Sequence, residues 1–254
     1  MKRLFWLAAL LLALAGCASG GTAEDGGAPP PRESLYVPEA PPKAPEELPE
    51  EALEEPPEIP EPPEDPSAFV RVRDYLPDIA VDLRYAGTEN FTGQAIYDFS
   101  DAYLRYGTVE KLAAVQSALA EEGLGLKLWD AFRPPAAQFR LWEVCPDRRY
   151  VADPNRGFSS HSRGNTVDLT LVDGAGNELE MPSGFDDFSA LADRDYNDVF
   201  PQAAENARRL EEAMTAAGFV PYTGEWWHYS DEERYEVEEA FQPPADETGG
   251  DGNG

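Results

Sequence analysis

Two histidines are all this chain contains, and each stands in a segment suited to holding a metal ion. His161 lies in Ser159-Ser160-His161-Ser162-Arg163-Gly164-Asn165-Thr166-Val167-Asp168, and His228 closes Glu225-Trp226-Trp227-His228. Two imidazoles with the carboxylate of Asp168 make a three-ligand set of the hydrolytic zinc kind, which leaves one coordination position for water. Glu225 is then a spare carboxylate able to act as general base. On a single strand, an offset of seven would point His161 and Asp168 to opposite faces. Gly164 offers the break that lets both reach one ion. The same donor types also occur as the facial triad of non-haem iron oxygenases. There the carboxylate usually follows the first histidine by two residues, and no additional base is required. Taken singly, Asp168 reads equally as an exposed residue on a half-buried strand, and His228 as a satisfied core histidine.

The elements that must carry these groups are legible from periodicity. Phe69 to Arg73 alternates like a strand. Thr108 to Glu122 reads as a helix, with Thr108 as its cap, Leu112, Val115 and Leu119 as its apolar stripe and Gly123 as its stop. Leu124, Leu126 and Leu128 alternate with Gly125 and Lys127 as a strand that runs into Trp129-Asp130-Ala131-Phe132-Arg133-Pro134. A short helix is predicted over Pro135 to Val144. Thr166 to Val172 forms a strand with Val167, Leu169 and Leu171 on one face. Pro201 to Ala217 forms a second long helix, and Phe219 to Tyr222 and Trp227 to Ser230 form closing strands. Without a regular βαβ repeat, the class is α+β: a single compact domain with a central, mostly antiparallel sheet and flanking helices. The two tryptophans before His228 should pack inward and fix the backbone that carries it.

Composition shifts at both ends. Lys2 and Arg3 precede an apolar run from Leu4 to Leu14 that is too short to span a bilayer, which takes about 20 residues. The run ends in Leu14-Ala15-Gly16-Cys17, which resembles a bacterial lipobox, so residues 1–17 read as a lipoprotein signal with Cys17 as the lipidated residue. Residues 18–66 form a Pro/Glu-rich tether with too few apolar side chains to offset the entropy of ordering. Residues 67–242 form the folded domain, and 243–254 a disordered acidic tail. The expected location is the bacterial envelope, membrane-anchored through Cys17. Cys145, the one other cysteine, is expected to be unpaired and buried as a small apolar residue. A net charge of −29 argues against nucleic acid as a partner, and nothing marks a specific protein partner.

Four motifs in order carry a family resemblance. They are Asp82-Leu83-Arg84-Tyr85-Ala86 with Asn90-Phe91-Thr92-Gly93; Trp129 to Pro134; Ser159 to Gly164 with Asp168-Leu169-Thr170-Leu171; and Glu225 to His228. Over roughly residues 70–240 the chain resembles the VanX-type D-alanyl-D-alanine dipeptidases, zinc D,D-peptidases whose fold is shared with the hedgehog signalling domain. The resemblance implies zinc on His161, Asp168 and His228, Glu225 as base, and Arg133 at the scissile carbonyl. It also implies Tyr85, Ser159 and Asp186 around a D,D-dipeptide, with Asp187 as the alternative to Asp186. Asp130 is expected to orient a neighbour. Two other readings stay open: a D,D-carboxypeptidase that trims peptidoglycan stems, and a non-catalytic wall-binding module with a structural zinc. The lipobox, tether and tail lie outside the usual dipeptidase domain.

Overall fold

The computed structural model describes residues 58–246; the lipobox, Cys17, most of the tether and the last eight residues lie outside that range. A two-stranded antiparallel ribbon pairs β1 (Phe69–Arg71) with β3 (Tyr103–Arg105). Between them run a one-turn helix α1 (Val72–Tyr75) and a two-residue strand β2 (Ala80–Val81). The remaining elements are α2 (Tyr106–Ala120), β4 (Leu124–Asp130), α3 (Pro135–Val144), β5 (Thr166–Asp173), α4 (Pro201–Ala216), β6 (Phe219–Pro221) and β7 (His228–Asp231). The main sheet has the order β2-β4-β5-β7-β6, with β2 parallel to β4 and all other pairs antiparallel. This is the α+β arrangement expected from the sequence. Among the described residues no helix is long and apolar enough to cross a membrane.

The core forms where the apolar stripes meet. Leu112, Val115 and Leu119 of α2 and Ala207, Leu210 and Met214 of α4 are buried with Leu126, Leu128, Val167, Leu169 and Leu171 of the central strands. Burying a Leu or Val side chain stabilises by roughly 1.5–3 kcal/mol, so this cluster fixes β4 and β5 as the rigid centre. Seven of the eight residues of β5 are buried, which makes it a strand enclosed on both faces. The inward reading of the tryptophan pair holds, with Trp226 and Trp227 at 0% and 1% exposure. They join Trp129 and Phe185 in an aromatic cluster.

Several local expectations are corrected. Helix α2 starts at Tyr106, and Thr108 does not cap it; its buried hydroxyl donates to Asp231 Oδ2 at 2.9 Å. Strand β1 stops at Arg71: the backbone N–H of Val72 still reaches its ladder partner Ala102, but the carbonyl of Val72 accepts from the N–H of Leu76 and so closes the single turn of α1. Trp227 sits in the turn before β7, not in the strand. Cys145 is unpaired among the described residues and, against expectation, only partly buried. The packed body also outruns both expected boundaries. Tyr75 donates to the carbonyl of Glu61, Pro243 is buried, and Asp246 bonds to Asp98 and Ser100. Asn90 serves the fold, its amide donating to the carbonyls of Arg84, Gly87 and Gln94.

Candidate metal centre and active site

Strand register does what spacing could not. Asp168 on β5 lies opposite His228 on β7 and, on its other side, opposite Asp130 at the end of β4, just after a bulge between Leu128 and Asp130. Three remote residues thereby form one row across the sheet. His161 arrives from a 3₁₀ turn, Ser160–Arg163, which leads into β5. Gly164 closes that turn at φ +76°, and a Cβ there would stand 2.4 Å from the ring of Phe69. Both the left-handed backbone and the close approach require glycine. Ser159 caps the turn, its hydroxyl accepting from the backbone N–H of His161.

The ligand atoms converge. His161 Nε2 lies 3.4 Å from His228 Nδ1 and 3.4 Å from Asp168 Oδ2, and His228 Nδ1 lies 2.9 Å from Asp168 Oδ1. Tetrahedral ligation with bonds of about 2.0–2.1 Å needs ligand atoms about 3.3 Å apart, so the spacing fits a zinc-sized ion. His161 Nδ1 donates to the carbonyl of Ala131 at 2.8 Å, which fixes the neutral tautomer with its Nε2 lone pair facing the cluster. Ser160 Oγ stands 3.4 Å from His228 Nε2, so that ring presents Nδ1. Burial pushes Asp168 upward, but His161 and His228 outweigh it and hold the carboxyl well below its usual range. Burial disfavours the His161 imidazolium, yet Asp168 and Asp130 raise its pKa overall.

Glu225 stands outside the three-ligand set, its Oε2 3.6 Å from His228 Nδ1. Burial, reinforced by Asp168, pushes its carboxyl upward. Asp186 accepts a hydrogen bond from the Tyr85 hydroxyl at 2.8 Å, and burial pushes its carboxyl up to about 8. It is held at φ +56°, in the left-handed region that aspartate tolerates better than most residues. Asp187 instead accepts from the backbone N–H of Ser189, and of the two it is Asp186 that lines the cavity. Three carboxyl groups facing one another in a buried space favour a cation among them.

Arg133 is buried and held on three sides. It bonds to Asp130 at 2.6 Å, the Tyr97 hydroxyl at 3.3 Å and Gln138 Oε1 at 3.1 Å. Three of its five N–H groups are thereby used, and burial of the guanidinium is outweighed by Asp130, which raises its pKa further. Asp130 does orient a neighbour, as expected. Tyr97 and Gln138 escaped the sequence reading: nothing local marks them, and their role exists only once β4, α3 and the loop before β3 meet. Arg194 escaped it too. Its guanidinium donates to the carbonyls of Tyr222 and His228 at 2.7 and 3.1 Å and to Glu211 at 2.9 Å, bracing the turn that bears Glu225 and His228.

One cavity of about 390 Å³ is lined by Tyr85, Arg133, Ser159, His161, Asp168, Asp186, Glu225 and His228 together, so every candidate residue within the described range faces the same space. A larger hollow of about 710 Å³ lies elsewhere, beside Lys111 and Tyr235, and contains none of them. A buried His₂-carboxylate cluster with an adjacent free glutamate defines a metal-dependent hydrolase site. The chain matches the family described as D-ala-D-ala dipeptidase, Peptidase M15, over residues 65–243. Its relatives include three proteins named D-alanyl-D-alanine dipeptidase. The one from Escherichia coli K12 is 40% identical over 165 residues, covering 65% of this chain and 85% of the relative. The Streptomyces coelicolor one is 36% identical, covering 69% and 97%, and the Enterococcus faecium one 34% identical, covering 58% and 83%. The chain belongs to the D-Ala-D-Ala dipeptidase family of metallopeptidases.

Proposed function

We propose that the protein hydrolyses the D-alanyl-D-alanine dipeptide to two molecules of D-alanine, with zinc held by His161, Asp168 and His228. The observation that carries this reading is the free Glu225 carboxylate beside a closed three-ligand cluster, in a cavity whose acidic wall at Asp186 suits an ammonium. Zinc in such a site supplies a Lewis acid and lowers the pKa of a water toward about 7. Glu225 takes a proton from the attacking water as the new C–O bond forms, then delivers it to the amine as the C–N bond breaks. Arg133 offers its uncommitted N–H groups to the carbonyl oxygen as negative charge develops there. Asp186, with Tyr85 bonded to it, receives the substrate ammonium, and the Ser159 hydroxyl assists in holding the dipeptide.

The lipobox-like Leu14-Ala15-Gly16-Cys17 supports the further proposal that the protein is exported and anchored in a bacterial membrane through lipid on Cys17, near the source of wall-derived D,D-peptides. Zinc-loaded soluble protein assayed with free D-Ala-D-Ala and with an acylated tripeptide ending in D-Ala-D-Ala tests the activity. Turnover of the free dipeptide alone is expected. Preference for the acylated peptide would replace the dipeptidase reading with carboxypeptidase trimming, and no turnover of either would leave a binding module.

A further inference from the structure

A zwitterionic dipeptide brings a carboxylate as well as an ammonium, and the catalytic groups described above include no partner for it. The cavity wall does. Besides Arg133, it contains two arginines, Arg148 and Arg149. Arg149 is committed to Asp147, with Nη2 2.5 Å from Oδ2. Arg148 makes no side-chain hydrogen bond or ion pair among the described residues, although the protein carries 49 acidic residues against 20 basic ones. It stands where the cavity joins a side hollow of about 220 Å³.

The segment bearing Arg148 is pinned in place. Asp147 turns the chain through its carbonyl, which accepts from the backbone N–H groups of Tyr150 and Val151. Gln138 donates to the carbonyl of Ala152 at 2.7 Å while accepting from Arg133, so the segment is tied to the catalytic arginine. Tyr150, two residues beyond Arg148, meets Phe188, two residues beyond Asp186, with ring centroids 4.7 Å apart. The segment with the free guanidinium therefore touches the segment with the acidic group, and Arg148 and Asp186 line the same cavity.

Building on the dipeptidase reading, we propose that Arg148 receives the terminal carboxylate of the substrate and makes the enzyme selective for peptides with a free C-terminus. A charge-assisted bond to an arginine fork rejects a neutral amide, which lacks the charge. The test compares D-Ala-D-Ala with its C-terminal amide, in kcat/KM and in equilibrium binding to the zinc-loaded protein. The wild type should favour the acid by about tenfold or more. Arg148→Gln should bring the ratio close to one, mainly through KM, and Arg148→Lys should restore part of it. A wild-type ratio near one, or an undiminished ratio in a folded Arg148→Gln variant, overturns the proposal. Should Arg148→Gln fail to fold, the Arg148→Lys ratio and inhibition of the wild type by D-alanine against D-alaninamide decide instead: equal inhibition counts against it. Absence of turnover with an intact binding ratio would instead count against the dipeptidase reading and leave the Arg148 assignment standing.

Discussion

The metal cluster and the substrate-facing wall are built differently. Asp168 and His228 sit on paired central strands, and His161 is locked by a carbonyl, a serine cap and a glycine turn. Asp186 and Arg148 instead sit on connecting segments, joined across the cavity by the exposed Tyr150–Phe188 contact. The contrast suggests a division of labour: chemistry needs atoms fixed to within about half an ångström, whereas recognition tolerates loops and gains from their variability.

The largest expected effect falls on the rigid side. His161→Ala should lose zinc and reduce turnover to background; normal metal content by atomic absorption would break the ligand assignment. Glu225→Gln should keep zinc and lower kcat by about 10²–10⁴, since it removes the base without a ligand. Substantial turnover in a metal-loaded variant would remove Glu225 from the mechanism. Arg194→Gln should weaken zinc binding by about tenfold, as loss of an outer partner does, and lower Tm, because Glu211 loses its buried partner. Unchanged metal affinity would show that the β6–β7 turn holds itself.

The mildest test lies on the loop side. In metal-free protein the Asp186 carboxyl has a pKa of about 8 when folded, against about 3.9 unfolded. Between those values the folded state binds the extra proton, so stability falls as pH rises toward 8 and levels off above it. Asp186→Asn, which tolerates the same backbone, should remove that slope and melt a few degrees higher than wild type at pH 8. Parallel melting curves from pH 5 to 9 would mean the carboxyl is better solvated than its burial implies.

The helices and central strands were legible because apolar residues repeat at 3.6 or 2 along them. Short elements were not: β2 spans two residues and exists through its pairing with β4, and α1 is one turn of four residues closed by a single local bond from Leu76 to Val72. Thr108 looked like a cap because Thr suits that role, but tertiary packing gave its hydroxyl to Asp231. Asp168 alone read equally well as exposed; only enclosure of β5 on both faces decided it.

The sequence by itself determined the donor types, the spare glutamate and the alternation that puts Asp168 in a strand. These follow from side-chain chemistry and local periodicity, which need no partner strand. Tertiary structure alone decided that Asp130, Asp168 and His228 share one row, that Tyr97 and Gln138 hold Arg133, that Arg194 braces the β6–β7 turn, and that Arg148 and Asp186 line one cavity. Those relations depend on register and on which polar groups burial leaves without a partner, and neither is written at any single position in the chain.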